Sequence, residues 1–138
     1  MKTVLTVGVF DLLHWGHFEL FRRCRELAGE KGRLVVAIQE DSVVTKYKPG
    51  TKLAYDWDKR KKMISALRYV DEVISYGDID ESIKHIDFDV FAIGGDQLHE
   101  GFKRAIDWCE VNGKEVVRMR RTDGISSTEI RQGGTSLA

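Results

Sequence analysis

Val4-Leu5-Thr6-Val7-Gly8-Val9-Phe10 is followed, after Asp11-Leu12-Leu13, by His14-Trp15-Gly16-His17 and then by a helix-like pattern from Phe18 onward. The apolar run reads as a buried strand, and the glycine-containing turn behind it feeds a helix. A strand that turns into a helix in this way is a place to hold a phosphate. The helix N-terminus presents free N–H groups and the positive end of its dipole. Two imidazoles at that spot add donors that are charged or neutral near pH 7. Gly16 permits a close approach where a side chain would block it. The stretch is therefore expected to form a site for a polyphosphate whose charge changes during a reaction. Taken alone the four residues are weaker evidence, since histidines three apart also sit idle on surfaces. Zinc is a rival ligand, but no HExxH follows, and Cys24, seven residues after His17, has no paired cysteine nearby.

Outward from this stretch the pattern alternates strand and helix. Residues 2–9 read as a strand and 16–27 as a helix, with Phe18, Leu20, Phe21, Cys24 and Leu27 on one face and Gly29 and Gly32 ending it. Residues 33–38 are a second strand. Residues 41–53 lack a clear period and carry Lys46, Lys48, Pro49, Gly50 and Lys52, so they are expected to form a mobile basic loop. Residues 56–69 read as a helix with Trp57, Met63, Ile64 and Leu67 apolar. Then come a strand at 70–75, a short helix at 79–86 and a strand at 89–93 ended by Gly94-Gly95. A helix at 98–111, a strand at 114–119 and a final helix at 126–132 capped by Ser126 complete the pattern.

Five such strands separated by helices predict an α/β fold: one Rossmann-like domain over residues 1–132, with a five-stranded parallel sheet covered by helices on both faces and a short tail at 133–138. Ligands of such sheets bind beyond the carboxyl ends of the strands, near the switch in strand order. Residues 10–17, 46–52, 94–97 and 120–128 all fall at that rim. Their convergence is much less expected by chance than one pair of histidines.

Composition narrows the function classes. A chain of 138 residues suits one domain with a real core. Its 22 basic and 22 acidic residues give zero formal net charge, which argues against general nucleic-acid binding through counterion release. Cys24 and Cys109 are far apart in unrelated contexts, which fits a reducing compartment, and the expected location is the cytoplasm. Neither a signal-peptide pattern nor a membrane-length apolar run is visible.

Gly8-Val9-Phe10-Asp11-Leu12-Leu13-His14-Trp15-Gly16-His17 resembles the GxFDxxHxGH signature of the cytidylyltransferase-like nucleotidyltransferases. Arg121-Thr122-Asp123-Gly124-Ile125-Ser126-Ser127-Thr128 resembles the RTEGISTT signature of the same family. With Lys46-Tyr47-Lys48 and Arg68-Tyr69-Val70-Asp71, these motifs are most similar to the bacterial branch that uses glycerol 3-phosphate. The likeness spans nearly the whole chain. HxGH alone marks a broad superfamily, whereas its pairing with RTDGISST is specific for the cytidylyl branch.

The resemblance implies that CTP and an alcohol phosphate, with Mg2+, give a CDP-alcohol and pyrophosphate. It implies that His14, His17, Lys46 and Arg121 carry catalysis. Val9, Phe10, Asp11, Gly16, Gly94, Asp96, Thr122, Gly124, Ile125, Ser126, Ser127 and Thr128 would join His14, His17 and Arg121 around the nucleotide. Lys46, Lys48 and Arg68 would hold the acceptor, and the chain would form a homodimer. The residues alone leave alternatives. Asp11 also reads as a turn aspartate, Ser126 as a simple cap, the lysines as a solvated surface and Arg60 as structural. No residue is assigned to a metal.

Three departures from the family pattern bear on the substrate. Gly94-Gly95-Asp96-Gln97 stands where a GDD-type turn is usual, and GGD also occurs in adenylyltransferases acting on sugar phosphates. Gly77-Asp78-Ile79-Asp80-Glu81 is acidic where glycerol-phosphate enzymes carry basic residues and a tryptophan. It is either a solvated helix start or a surface suited to an amino-alcohol phosphate such as phosphoethanolamine. Val9 replaces a threonine. A nucleotide-binding module without catalysis is the alternative of a different class, and the intact pair of His14 and His17 speaks against it.

Overall fold

The structure is a computed structural model and describes residues 2–94 and 99–119. Its elements are β1 (Thr3–Gly8), α1 (Trp15–Ala28), β2 (Arg33–Gln39), α2 (Asp41–Tyr47), α3 (Trp57–Ser65) and β3 (Glu72–Tyr76). They continue with α4 (Ile79–Ser82), a 3-10 turn (Ile83–His85), β4 (Val90–Gly94), α5 (Glu100–Val111) and β5 (Glu115–Met119). The described strands form one five-stranded sheet in the order β3-β2-β1-β4-β5, and every pairing is parallel. This is the α/β Rossmann-like architecture read from the sequence. The chain runs outward from β1 to β2 and β3, then returns to the other side of β1 as β4. The switch in strand order, and so the expected ligand crevice, lies between β1 and β4.

Side chains alternate between two cores because successive residues of a strand point to opposite faces. Val4, Leu34, Val36 and Ile38 pack against Phe21, Cys24 and Ala28 of α1 and Ile64 of α3. Leu5, Val7, Val35, Phe91 and Ile93 pack against Ile79, Ile83, Phe102, Ala105, Ile106 and Cys109 on the other face. Phe21, Leu34 and Ile64 are fully buried, and each contributes about 1.5–3 kcal/mol by leaving water. Helix α1 stops at Gly29, whose φ of 79° suits glycine and whose N–H donates to the Arg25 and Glu26 carbonyls.

The structure corrects the reading in places. Residues 41–53 are not all loop, because their first half is helix α2. Burial of Val44 and the bond from Lys48 N–H to the Val44 carbonyl hold this short helix. Helix α3 ends at Ser65 rather than continuing to 69. Successive turns, Leu67 N–H to Ile64 carbonyl and Val70 N–H to Leu67 carbonyl, fold the chain so that Leu67, Tyr69 and Val70 pack on the core. The segment expected as one helix at 79–86 is a four-residue turn of α-helix and a 3-10 turn. The final helix expected at 126–132 lies outside the described residues.

Candidate active site

The turn after β1 is built around an uncommon backbone conformation. Phe10 has φ of 52°, a left-handed value that bulky residues avoid. Its ring sits edge-on to His17 and to Phe21, each centroid 5.2 Å away, and this packing fixes the turn. Gly8 is required beside it, since a Cβ there would lie 2.8 Å from Phe10 Cζ. Asp11 is buried. Its two carboxylate oxygens accept the Ala54 N–H at 2.8 Å and the Tyr55 N–H at 2.9 Å. Asp11 therefore orients the turn by tying it to the chain that enters α3.

His14 is the N-cap of α1, with extended backbone, and its Nδ1 accepts the Gly16 N–H at 3.0 Å. An accepting nitrogen carries no proton, so the neutral ring bears its hydrogen on Nε2 and offers that as a donor. Gly16 thus enters the site by fixing the His14 ring, and its N–H is engaged there rather than open to a ligand. The His17 ring stacks on His14 with centroids 3.9 Å apart and 24° between planes. Burial, then the adjacent His14, lowers the His17 pKa from the ordinary imidazole value of 6.5 to about 3, against a weaker opposing contact from the Leu12 backbone. His17 is therefore neutral at pH 7. The pair can hold and polarise phosphate oxygens at the positive end of α1.

Arg60 gathers the neighbouring strand ends. It is fully buried; its guanidinium donates to the Val9 carbonyl at 2.7 Å and pairs with Asp41. Asp41 also accepts the Trp57 N–H at 3.2 Å, while Trp57 Nε1 donates to the Ile38 carbonyl at 3.0 Å. The ends of β1 and β2 and the starts of α2 and α3 are thereby locked together. Arg60 is structural, and the Val9 carbonyl is engaged by it.

Lys46 lies in the last turn of α2, with Nζ 3.7 Å from Asp78 and over the Tyr47 ring. Tyr47 donates its hydroxyl to the same carboxylate. Lys48 is the C-cap of α2. Arg104 of α5 donates to Asp80 at 2.8 Å. His99, the N-cap of α5, has a lowered pKa through burial and then through Arg104 and Lys48. His99 and Arg104 were missed in the sequence because nothing local marks them, and Tyr47 stood in the Lys46-Tyr47-Lys48 motif without a role. Gly94 ends β4 at the same rim. Arg68 is not on a helix. It sits in an exposed turn after α3, and three residues later Asp71 N–H bonds the Leu34 carbonyl at the opening of β2, which places this turn at the amino edge of the sheet, opposite the carboxyl rim. Asp96, Arg121, Thr122, Gly124, Ile125, Ser126, Ser127 and Thr128 lie outside the described residues.

Among the described residues, no group of three or more His, Cys, Asp or Glu side chains is arranged to hold a metal ion. The Asp11 carboxylate is committed to backbone donors. Among the same residues, no helix is long and apolar enough to cross a membrane.

The family model for cytidylyltransferase-like proteins matches residues 5–133. The chain is 41% identical over 136 residues to a glycerol-3-phosphate cytidylyltransferase of Staphylococcus aureus, covering 96% of this chain and 94% of that one. It is 43% identical over 131 residues to an FAD synthase of Thermococcus kodakarensis, covering 93% of this chain and 77% of the relative. A crystal structure of a lipopolysaccharide core biosynthesis protein from Thermoplasma volcanium superimposes with a TM-score of 0.74 at 28% identity, covering 89% of this chain and 99% of that one. With its fold, its histidine pair at the switch point and a match over nearly its whole length, the chain belongs to the cytidylyltransferase-like family and is an enzyme of the nucleotidyltransferase type.

Proposed function

We propose that the protein transfers the cytidylyl group of CTP to a small alcohol phosphate, glycerol 3-phosphate before others. A phosphate oxygen of the acceptor attacks the α-phosphorus of CTP. The bond to the β-phosphate bridging oxygen breaks, and pyrophosphate leaves as the CDP-alcohol forms. The acceptor already bears a nucleophilic oxygen, so catalysis is mainly in-line positioning and stabilisation of charge. Mg2+ enters with the triphosphate as part of the substrate, through phosphate oxygens.

The observation that carries this reading is the stacked pair of His14 and His17 at the N-terminus of α1, with the His14 tautomer set by Gly16. His14 Nε2–H meets charge developing on the triphosphate, and neutral His17 backs it. Lys46 and Lys48 approach the acceptor phosphate from α2. Arg121 and residues 122–128 complete the nucleotide side in this reading. Asp80 is paired with Arg104 of α5, which withdraws one of the two carboxylates that would draw an ammonium and supports a polyol phosphate over phosphoethanolamine. A homodimer belongs to the same reading, and Trp15, 54% exposed, offers it an apolar contact.

The second reading is adenylyl transfer from ATP, favoured by the likeness to an FAD synthase. A matrix of CTP, ATP, GTP and UTP against several alcohol phosphates, read as pyrophosphate release with and without Mg2+, separates the two. Release from CTP that needs both Mg2+ and an alcohol phosphate is expected. Release from ATP with none from CTP would replace the first reading by the second.

A further inference from the structure

The turn between β3 and α4 is fastened to the end of β2. Glu40 N–H donates to the Tyr76 carbonyl at 2.9 Å, and the Gln39 side-chain amide donates to the Gly77 carbonyl at 3.2 Å. The Ser82 hydroxyl accepts the Gly77 N–H at 3.2 Å. Asp78 therefore stands at a set position. One of its oxygens accepts the Tyr47 hydroxyl and the other faces Lys46 Nζ at 3.7 Å. Its neighbour Asp80 is turned the other way, to Arg104 of α5. The two acids thus divide their work, and only Asp78 meets the basic end of α2.

We propose that Asp78 is the resident counter-ion of Lys46 and determines acceptor specificity by charge; the proposal rests on the reading of Lys46 as a phosphate ligand. Lys46 is mostly exposed on a flexible stem, whereas Tyr47 and the fastened turn hold the carboxylate. An acceptor phosphate recruits Lys46 by drawing it off Asp78, and the carboxylate stays behind beside the bound ester. Phosphate esters whose remaining groups are neutral, such as polyols, are accepted there. Esters with a second anionic group, such as a phosphorylated hydroxy acid, meet repulsion from Asp78.

The test is steady-state kinetics of wild type, Asp78→Asn, Tyr47→Phe, Lys46→Ala and the Lys46→Ala/Asp78→Asn double variant, with glycerol 3-phosphate and with 3-phosphoglycerate. Asp78→Asn is expected to lower KM for glycerol 3-phosphate about two- to fivefold at low salt, the range of an exposed ion pair, and to lower it further for 3-phosphoglycerate. The gain should vanish at high salt and in the Lys46→Ala background. Tyr47→Phe, which keeps the charge and frees the carboxylate, should shift KM the same way by less. A KM that rises or stays unchanged in Asp78→Asn, or a change that persists without Lys46, overturns the proposal. Calorimetric titration with inorganic phosphate gives a readout without turnover: Asp78→Asn should bind it more tightly than wild type. If wild type turns over no alcohol phosphate, the assigned reaction fails, and this titration still decides the role of Asp78.

Discussion

The His14 ring lies over the His17 ring, 3.9 Å between centroids, and the two histidines do different jobs. His14 caps α1 through Nδ1, which puts the hydrogen of the neutral ring on Nε2; His17 is largely withdrawn from water and neutral. Asparagine at position 14 can keep the cap, since its side-chain oxygen accepts the same N–H. His14→Asn should therefore keep native circular dichroism while kcat falls about 10²-fold, the scale for loss of one transition-state donor. His14→Ala should lose a similar factor in kcat and also about 1 kcal/mol of stability with the cap. Wild-type turnover in His14→Asn would remove the imidazole from the chemistry.

The depressed pKa of His17 couples stability to pH. Its folded value is about 3, below the ordinary value near 6.5 of the unfolded chain. Between these limits the unfolded state binds the extra proton. The contribution is fully present above about pH 6.5 and is lost as pH falls toward 3, with a slope of up to about 1.4 kcal/mol per pH unit. Urea unfolding of wild type and His17→Asn across this window should show a shallower dependence in the variant. Parallel curves would refute the burial effect.

Arg60→Met removes the guanidinium that serves the Val9 carbonyl and Asp41. The carbonyl loses its donor, while Asp41, 43% exposed, returns to water. A loss of about 2–3 kcal/mol is expected from charged hydrogen bonds broken in this way, and kcat should fall because the turn carrying His14 loosens. A urea midpoint within error of wild type would show that the network contributes nothing to stability.

Gly8→Ala tests the left-handed Phe10. The added Cβ meets the Phe10 ring at 2.8 Å, and the ring cannot retreat without moving His17 and Phe21. Overpacking of this kind costs about 1–3 kcal/mol. Activity should fall with stability, and a crystal structure should show a displaced ring. An unchanged melting temperature and rate would mean that the turn relaxes freely.

Much of this protein was legible along the chain. Val4, Leu5 and Val7 in β1, and Leu34–Ile38 in β2, are apolar on both faces because helices cover both sides of the sheet. Their alternation with amphipathic segments therefore determined the α/β fold, and a parallel sheet puts every strand's following turn at one rim. The placement of His14 and His17 at the start of α1 came with that pattern. Helix α2 did not, because seven residues with Val44 as the buried one show no period, and so short a helix forms only when tertiary contacts hold it.

The partners of the site were decided by tertiary structure alone. Asp41 and Arg60 are 19 residues apart, Asp78 and Tyr47 are 31 apart, and Asp11 meets the backbone 43 and 44 residues on. Local periodicity records which face of an element is buried, not which distant charge will neutralise it. The sequence offers a structural reading of Arg60 in Lys59-Arg60-Lys61-Lys62, but which groups it serves is decided only when the fold brings Val9 and Asp41 to it. The sequence by itself determined the sheet and the histidine turn, through the free energy of burying apolar faces. Only the fold decided which polar groups hold that turn, because a buried charge must find its partner wherever the chain crossings put one.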